Sequence, residues 1–240
     1  MLSKTTYDNL GTYKASYDKF PPFPHIVMDN FLQPEFVKAL NEETRNLSQT
    51  KSEWWRFNTY DEHNHQIQKN FIADYQKLPT LCKLAVDYFN GPEFIKILEG
   101  ITGFKNLKAD PGLVGGGYHQ TGQSGKLNIH HDFTQHFING ESLYRHINLL
   151  IYLNDVWDNQ NWNGQLELWN KDLKNCERVV DIVQNRAVIF TIDGAPHGHP
   201  HPLQCPSHIF RRSLAFYYYN NDLPEYYFDR AYWKEGNQLM

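Results

Sequence analysis

The sequence predicts a mainly β protein, an antiparallel sandwich or jelly roll with helices buttressing one sheet. Three observations carry this. Beyond about residue 112, strand-like runs rich in β-branched and aromatic residues follow one another, separated by Asn, Asp, Gly and Pro clusters. No helical pattern interrupts them. Before that point apolar residues recur at helical spacing instead.

The elements follow in order. Residues 25–32 read as a strand after Pro21, Pro22 and Pro24. Residues 34–48 read as a helix: Pro34 suits its first turn, and Phe36, Val37, Leu40 and Leu47 share one stripe. A second helix is predicted from Pro79 to Phe89 with Gly91 just past its end, and a third from Glu93 to Leu98, stopping at Gly100. Strands are then predicted over 126–133, 144–154, 164–170, 177–183, 186–192 and 210–219. There is no internal repeat and no low-complexity segment. One domain over residues 1–240 is expected, with a helical buttress and first strands over about 25–110 and the β core over about 111–220.

Composition bounds the function. With 240 residues, 40% hydrophobic and 15% aromatic, the chain can bury a real core, which excludes intrinsic disorder. Lys plus Arg number 23 and Asp plus Glu 27, a net charge of -4, so nucleic acid is not the expected partner. Cys82, Cys176 and Cys205 show no CxxC spacing, which argues against a disulfide framework and a thiolate zinc site. Residues 1–19 are polar and tyrosine-rich, without the apolar run of a signal peptide, and no stretch approaches the ~18 apolar residues of a membrane span. A soluble, cytoplasmic protein is expected. The unusual count is 12 histidines.

Three features carry chemistry. On a strand, His130 and Asp132 face one way and His131 the other, so the first two can share a metal ion. Alone this is weak: 12 histidines, each with a 27-in-240 chance of an acid two positions on, give about 1.4 such pairs by accident. The segment 193–202 (DGAPHGHPHP) offers His197, His199 or His201 as a third ligand; two histidines and a carboxylate on one face of an octahedral iron(II) leave positions open for chemistry. Third, strand alternation puts Arg211, Ser213, Ala215 and Tyr217 on one face. An inward guanidinium at Arg211 is costly without an anion, and a dicarboxylate cosubstrate would supply one.

In this order these residues resemble the iron(II)- and 2-oxoglutarate-dependent dioxygenases, specifically the prolyl-4-hydroxylase-like branch. The resemblance spans roughly residues 110–220: His130-x-Asp132, Tyr152-Leu153-Asn154, Asn163-Gly164-Gln165-Leu166, His197 and Arg211-x-Ser213, with PFPHIVMDNFL also similar to the start of many members. It implies a double-stranded β-helix (jelly roll, cupin-like) core. It implies iron held by His130, Asp132 and His197, with His199 the fallback, since His197 follows Pro196 and precedes Gly198 as in similar proteins. Arg211 would pair with the far carboxylate of 2-oxoglutarate, with Tyr152 and Ser213 as hydroxyl contacts. Oxygen is the co-reactant, succinate and carbon dioxide the co-products, and ascorbate a supporting reductant. Both histidine ligands must be neutral to bind, so acid should weaken the site. Two departures stand out: Asn163 replaces the first glycine of the usual pair, and the stretch between His197 and Arg211 is longer than in some members. The halogenating relatives have a small residue where Asp132 stands, so hydroxylation of an unactivated carbon is implied.

The implied substrate is a prolyl residue of a peptide or protein, or else a free amino acid, a small metabolite or a glycan precursor. Alternatives of other classes are a non-catalytic metal-binding jelly roll and a zinc hydrolase; Arg211 has no evident task in the latter. Residues 115–120 (GGGYHQ) could line the mouth, and their neighbourhood lacks the spacing of a phosphate loop. His146, Asn148 and Tyr152 are expected on one strand face. Trp54, Trp55, Arg56 and Phe57 read as an aromatic cluster or a lid, and His63-Asn64-His65 as a surface loop.

Overall fold

The computed structural model describes residues 1–49, 56–60 and 65–234. The helices are α1 (Lys4–Asp8), α2 (Leu10–Ser16), α3 (Pro34–Gln49), α4 (Thr80–Phe89) and α5 (Pro92–Thr102). The strands before the core are β1 (His25–Met28), β2 (Arg56–Tyr60), β3 (Gln66–Ile72) and β4 (Lys108–Ala109). The core strands are β5 (Gly117–His131), β6 (Gln135–Ile138), β7 (Glu141–Tyr152), β8 (Leu166–Trp169), β9 (Cys176–Val180), β10 (Ala187–Thr191), β11 (His197–His199), β12 (Arg211–Asn220) and β13 (Tyr232–Trp233).

Pairing runs β1-β10-β7-β12-β5-β11-β8-β9, all antiparallel. The long strand β5 serves both layers of a sandwich. Its residues 117–121 pair with β12, and its residues 127–130 pair with β11. β3 lies along the other edge of β5. This is the jelly-roll-like barrel that the strand spacing predicts.

Alternation assigns each face. On β7 and β12, Ile147, Leu149, Ile151, Leu214, Phe216 and Tyr218 are buried outward against the helices. Val37 and Leu40 of α3, Val86 and Phe89 of α4, and Phe94 and Leu98 of α5 complete that core. Arg212 also points to this side and ties α3 to β12: its Nη1 donates to the Asn41 carbonyl at 3.1 Å and its Nη2 to Asn41 Oδ1 at 2.6 Å. The opposite parity, Asn148, Leu150, Arg211, Ser213 and Tyr217, faces the interior cavity.

Several boundaries depart from the sequence reading, among them the strand read over 25–32, which ends at Met28, and that read over 177–183, which ends at Val180. The third helix does not stop at Gly100. It continues to Thr102 because Ile101 is buried, and it ends at Gly103, whose φ of +84° the other residues rarely adopt. Gly91 is no left-handed cap; with φ -77° it is the N-cap of α5. The strand read over 126–133 begins at Gly117, so the glycine-rich segment is largely strand. Gly117 is required there: its φ is +89°, and a Cβ would sit 2.2 Å from the Ile72 carbonyl oxygen. Trp54, Trp55, His63 and Asn64 lie outside the described residues.

Candidate active site

The sandwich encloses a cavity of about 230 Å³. His130, at the end of β5, and Asp132, just past it, project into it, while His131 turns outward and stacks on Phe228 with ring centroids 4.7 Å apart. Within the His- and Pro-rich segment, His197–His199 form β11 between β5 and β8, and the register places His197 opposite His130. Ligand-capable atoms of His130, Asp132 and His197 all lie within 4.8 Å of one another. The Nε2 atoms of both histidines are each 3.5 Å from an oxygen of Asp132.

Both imidazoles are held in one tautomer. His130 Nδ1 donates to the Asn128 carbonyl at 2.9 Å and His197 Nδ1 to the Ala195 carbonyl at 3.0 Å. A carbonyl only accepts, so each Nδ1 carries the proton and each Nε2 keeps its lone pair aimed at the carboxylate. That donor set, two neutral imidazoles and one carboxylate, is the one non-haem iron(II) takes. His199 also lines the cavity, but among the described residues its buried Nδ1 has no hydrogen-bond partner to fix a tautomer. His201 points away, 3.1 Å from Glu167.

Burial opposes ionisation of Asp132, but Arg145, with His197 and His130, outweighs it and holds the carboxyl well below the usual carboxylate range. Burial lowers His197 to about 4, so it is neutral at pH 7. Asp132 Oδ2 forms an ion pair with Arg145 Nη2 at 2.8 Å and accepts a hydrogen bond from the Asn148 amide at 2.8 Å. Arg145 is fully buried and lies over the Tyr217 ring, its Cζ 3.3 Å from the centroid.

Sequence reasoning missed Arg145 and put His146 in its place. Simple alternation groups His146 with Asn148 and Tyr152. A β-bulge overturns this: Tyr218 pairs with Ile147 but Tyr219 pairs with Arg145, leaving His146 as the extra residue. Arg145 therefore shares the cavity face with Asn148, to whose Oδ1 its Nε donates at 2.8 Å. His146 instead hydrogen-bonds the Asp222 carbonyl at 3.0 Å and packs on Phe104. The available signal was an arginine inside an apolar strand.

Arg211 lies buried where β12 begins. Its Nε donates to the Gly164 carbonyl at 2.8 Å, and its Nη2 lies 3.3 Å from the Tyr152 hydroxyl. Ser213 is on the same face and lines the cavity. The turn that presents the Gly164 carbonyl keeps its geometry despite Asn163, which adopts φ +59°; Asn is among the residues that tolerate this region. Gly164 itself has φ +92°, and a Cβ there would meet Leu203 at 2.7 Å. His119 of the glycine-rich segment does line the cavity, as does Gly115. Two further elements were not foreseen. Lys69 projects from β3, and Trp233 of β13 stacks at 4.6 Å on both His130 and His65.

Residues 116–219 match the family model of the 2OG-Fe(II) oxygenase superfamily. No curated protein matches the sequence significantly. Among solved structures, a Pseudomonas putida prolyl-4-hydroxylase is similar with TM-score 0.61 at 15% identity, over 89% of this chain and 100% of that one. A Trichoplax adhaerens prolyl hydroxylase, solved with a hypoxia inducible factor peptide fragment, gives TM-score 0.56 at 17% identity, over 90% and 87%. HygX from Streptomyces hygroscopicus, solved with nickel, 2-oxoglutarate and hygromycin B, gives 0.52 at 10% identity, over 94% and 90%. At these identities the likeness is one of fold. The family-model match falls on the β core, and over that span the chain resembles the 2OG-Fe(II) oxygenases.

Proposed function

We propose that the protein hydroxylates an unactivated C–H bond, with His130, Asp132 and His197 holding iron(II) and Arg211 binding the far carboxylate of 2-oxoglutarate. When bound, iron(II) and 2-oxoglutarate would supply oxygen activation, with succinate and carbon dioxide as co-products. The chain's own residues do the rest. The Asn128 and Ala195 carbonyls fix the imidazole tautomers. Arg145 and Asn148 orient Asp132, and Arg145 keeps it ionised. Gly164 and Tyr152 orient the Arg211 guanidinium, and Ser213 offers a hydroxyl beside it. The indole of Trp233 covers one face of His130 and limits water at the ligand set.

The observation that carries this reading is the pair of Nε2 lone pairs converging on one carboxylate, in a cavity that also holds a buried guanidinium. We put a prolyl residue first as substrate, on the fold shared with the Pseudomonas and Trichoplax prolyl hydroxylases. We further propose a single domain over residues 1–240, acting in the cytoplasm; among the described residues no helix is long and apolar enough to cross a membrane. The test is anaerobic iron loading followed by oxygen-dependent succinate release from 2-oxoglutarate. Absence of both 2-oxoglutarate binding and succinate release would overturn the proposal.

A further inference from the structure

The cavity carries more positive charge than the metal centre and cosubstrate call for. Apart from histidines, the charged groups on its described wall are Lys69, Arg145, Arg211 and one carboxylate, Asp132. Asp132 is matched by Arg145 at 2.8 Å. Arg211 is the partner of the 2-oxoglutarate carboxylate in the reading above. Lys69 has neither kind of partner: its ammonium donates to Gln66 Oε1 at 3.3 Å and makes no ion pair among the described residues. Burial pushes it down to about 8, with Arg211 and Arg145 adding to the effect and Asp132 opposing it. An ammonium in that position gains from an anion.

Its placement is built into the sheet. Lys69 pairs with Thr121, and Thr121 pairs with Arg211, so the three residues form one row across β3, β5 and β12. Two strand spacings put the Lys69 and Arg211 backbones roughly 10 Å apart, on one wall of the cavity. Just before Lys69 the ladder jumps, from Ile67 opposite Lys126 to Lys69 opposite Thr121, and Gln68 takes φ +51° to span the jump. A left-handed backbone is strained for any residue but glycine. The fold accepts that strain at the residue preceding Lys69.

We propose that Lys69 is a specificity residue that seats a carboxylate of the substrate, so that the molecule oxidised here is an acid. The inference rests on the proposed 2-oxoglutarate site. A carboxylate fits better than a phosphate, because one unpaired ammonium matches a single negative charge and the two guanidiniums are already engaged. The carboxylate could be that of a free amino acid or an acidic side chain of a peptide.

The test uses the Mn(II)·2-oxoglutarate form of the whole chain, in which binding is read by calorimetry without turnover. Two matched pairs are titrated: L-proline against L-prolinamide, and acetyl-Gly-Pro-Glu-amide against acetyl-Gly-Pro-Gln-amide. In one pair at least, the acid should bind tenfold or more tightly than its neutral partner, and which pair responds identifies the source of the carboxylate. Lys69→Met should remove that preference and Lys69→Arg retain it, both with 2-oxoglutarate affinity within about twofold of wild type. No acid preference in either pair overturns the proposal. So does a tenfold loss of 2-oxoglutarate affinity in Lys69→Met, which would make Lys69 a cosubstrate residue while leaving the oxygenase reading intact. Failure of wild type to bind 2-oxoglutarate at all would instead remove the reading on which the proposal rests.

Discussion

Replacing Arg145 with methionine should destabilise the metal-free protein by about 3–5 kcal/mol, the usual cost of removing one partner of a buried ion pair. The structure puts Arg145 in that class. Its side chain is 1% exposed, its Nη2 is 2.8 Å from Asp132, and its Nε donates to Asn148 at 2.8 Å. Methionine follows the arginine stem, so the packing loss is small beside the loss of charge. What remains is Asp132, whose burial opposes ionisation and whose principal support was Arg145. For a chain of this size 1 kcal/mol is about 2–4 °C, so Tm should fall by roughly 6–20 °C. A divalent cation should return more stability to the variant than to wild type, because it restores positive charge beside the same carboxylate. Thermal and urea unfolding with and without Mn(II) measure both effects. Asp132→Asn and the double variant close a cycle whose coupling should reach about 2 kcal/mol. A variant within 1 kcal/mol of wild type, or a cycle without coupling, would refute the reasoning.

Three further outcomes are expected. Asp132→Ala should abolish metal-dependent succinate formation; His197→Ala should weaken Mn(II) binding tenfold or more while His199→Ala changes it only a few-fold, and equal losses would reassign the third ligand. Arg211→Ala should raise the 2-oxoglutarate KM by about 10–100-fold, the range of a charge-assisted hydrogen bond, without removing the metal; an unchanged KM contradicts the assignment. Burial lowers His119 to about 3 and His131 and His197 to about 4, so between about pH 4 and 6.5 the unfolded chain takes up protons that the folded protein does not. Stability of the metal-free protein should therefore fall as pH drops through that window, by about 2 kcal/mol per histidine at pH 5, and a urea midpoint flat from pH 7.5 to 5 would exclude this.

What the sequence revealed follows physical locality. His130 and Asp132 are legible because they are two residues apart on a regular strand, where side-chain direction is fixed by parity. Arg211, Ser213 and Tyr217 are legible for the same reason, and β12 keeps that parity along the whole face. Arg145 was not, because one bulged residue breaks the alternation that the reading relied on. Lys69 and Trp233 reach the cavity only through pairing with β5, and no local pattern encodes a partner strand some fifty or a hundred residues away. The extent of α5 was misjudged because a glycine was taken as a stop; burial of Ile101 decided otherwise.

The bulge at His146 acts as slack in the chain. Because Tyr219 already faces Arg145 across it, removing His146 would leave a regular ladder with Arg145 still aimed at Asp132, at the cost of the contacts to Asp222 and Phe104. A deletion elsewhere between Ile147 and Tyr152 could be absorbed by drawing His146 into line, at the price of shifting the inner residues by one place. Strand β7 thus tolerates a change of length at the one position where the site's counter-charge does not depend on it, and arginine placement there is protected against an accident that would invert an ordinary strand.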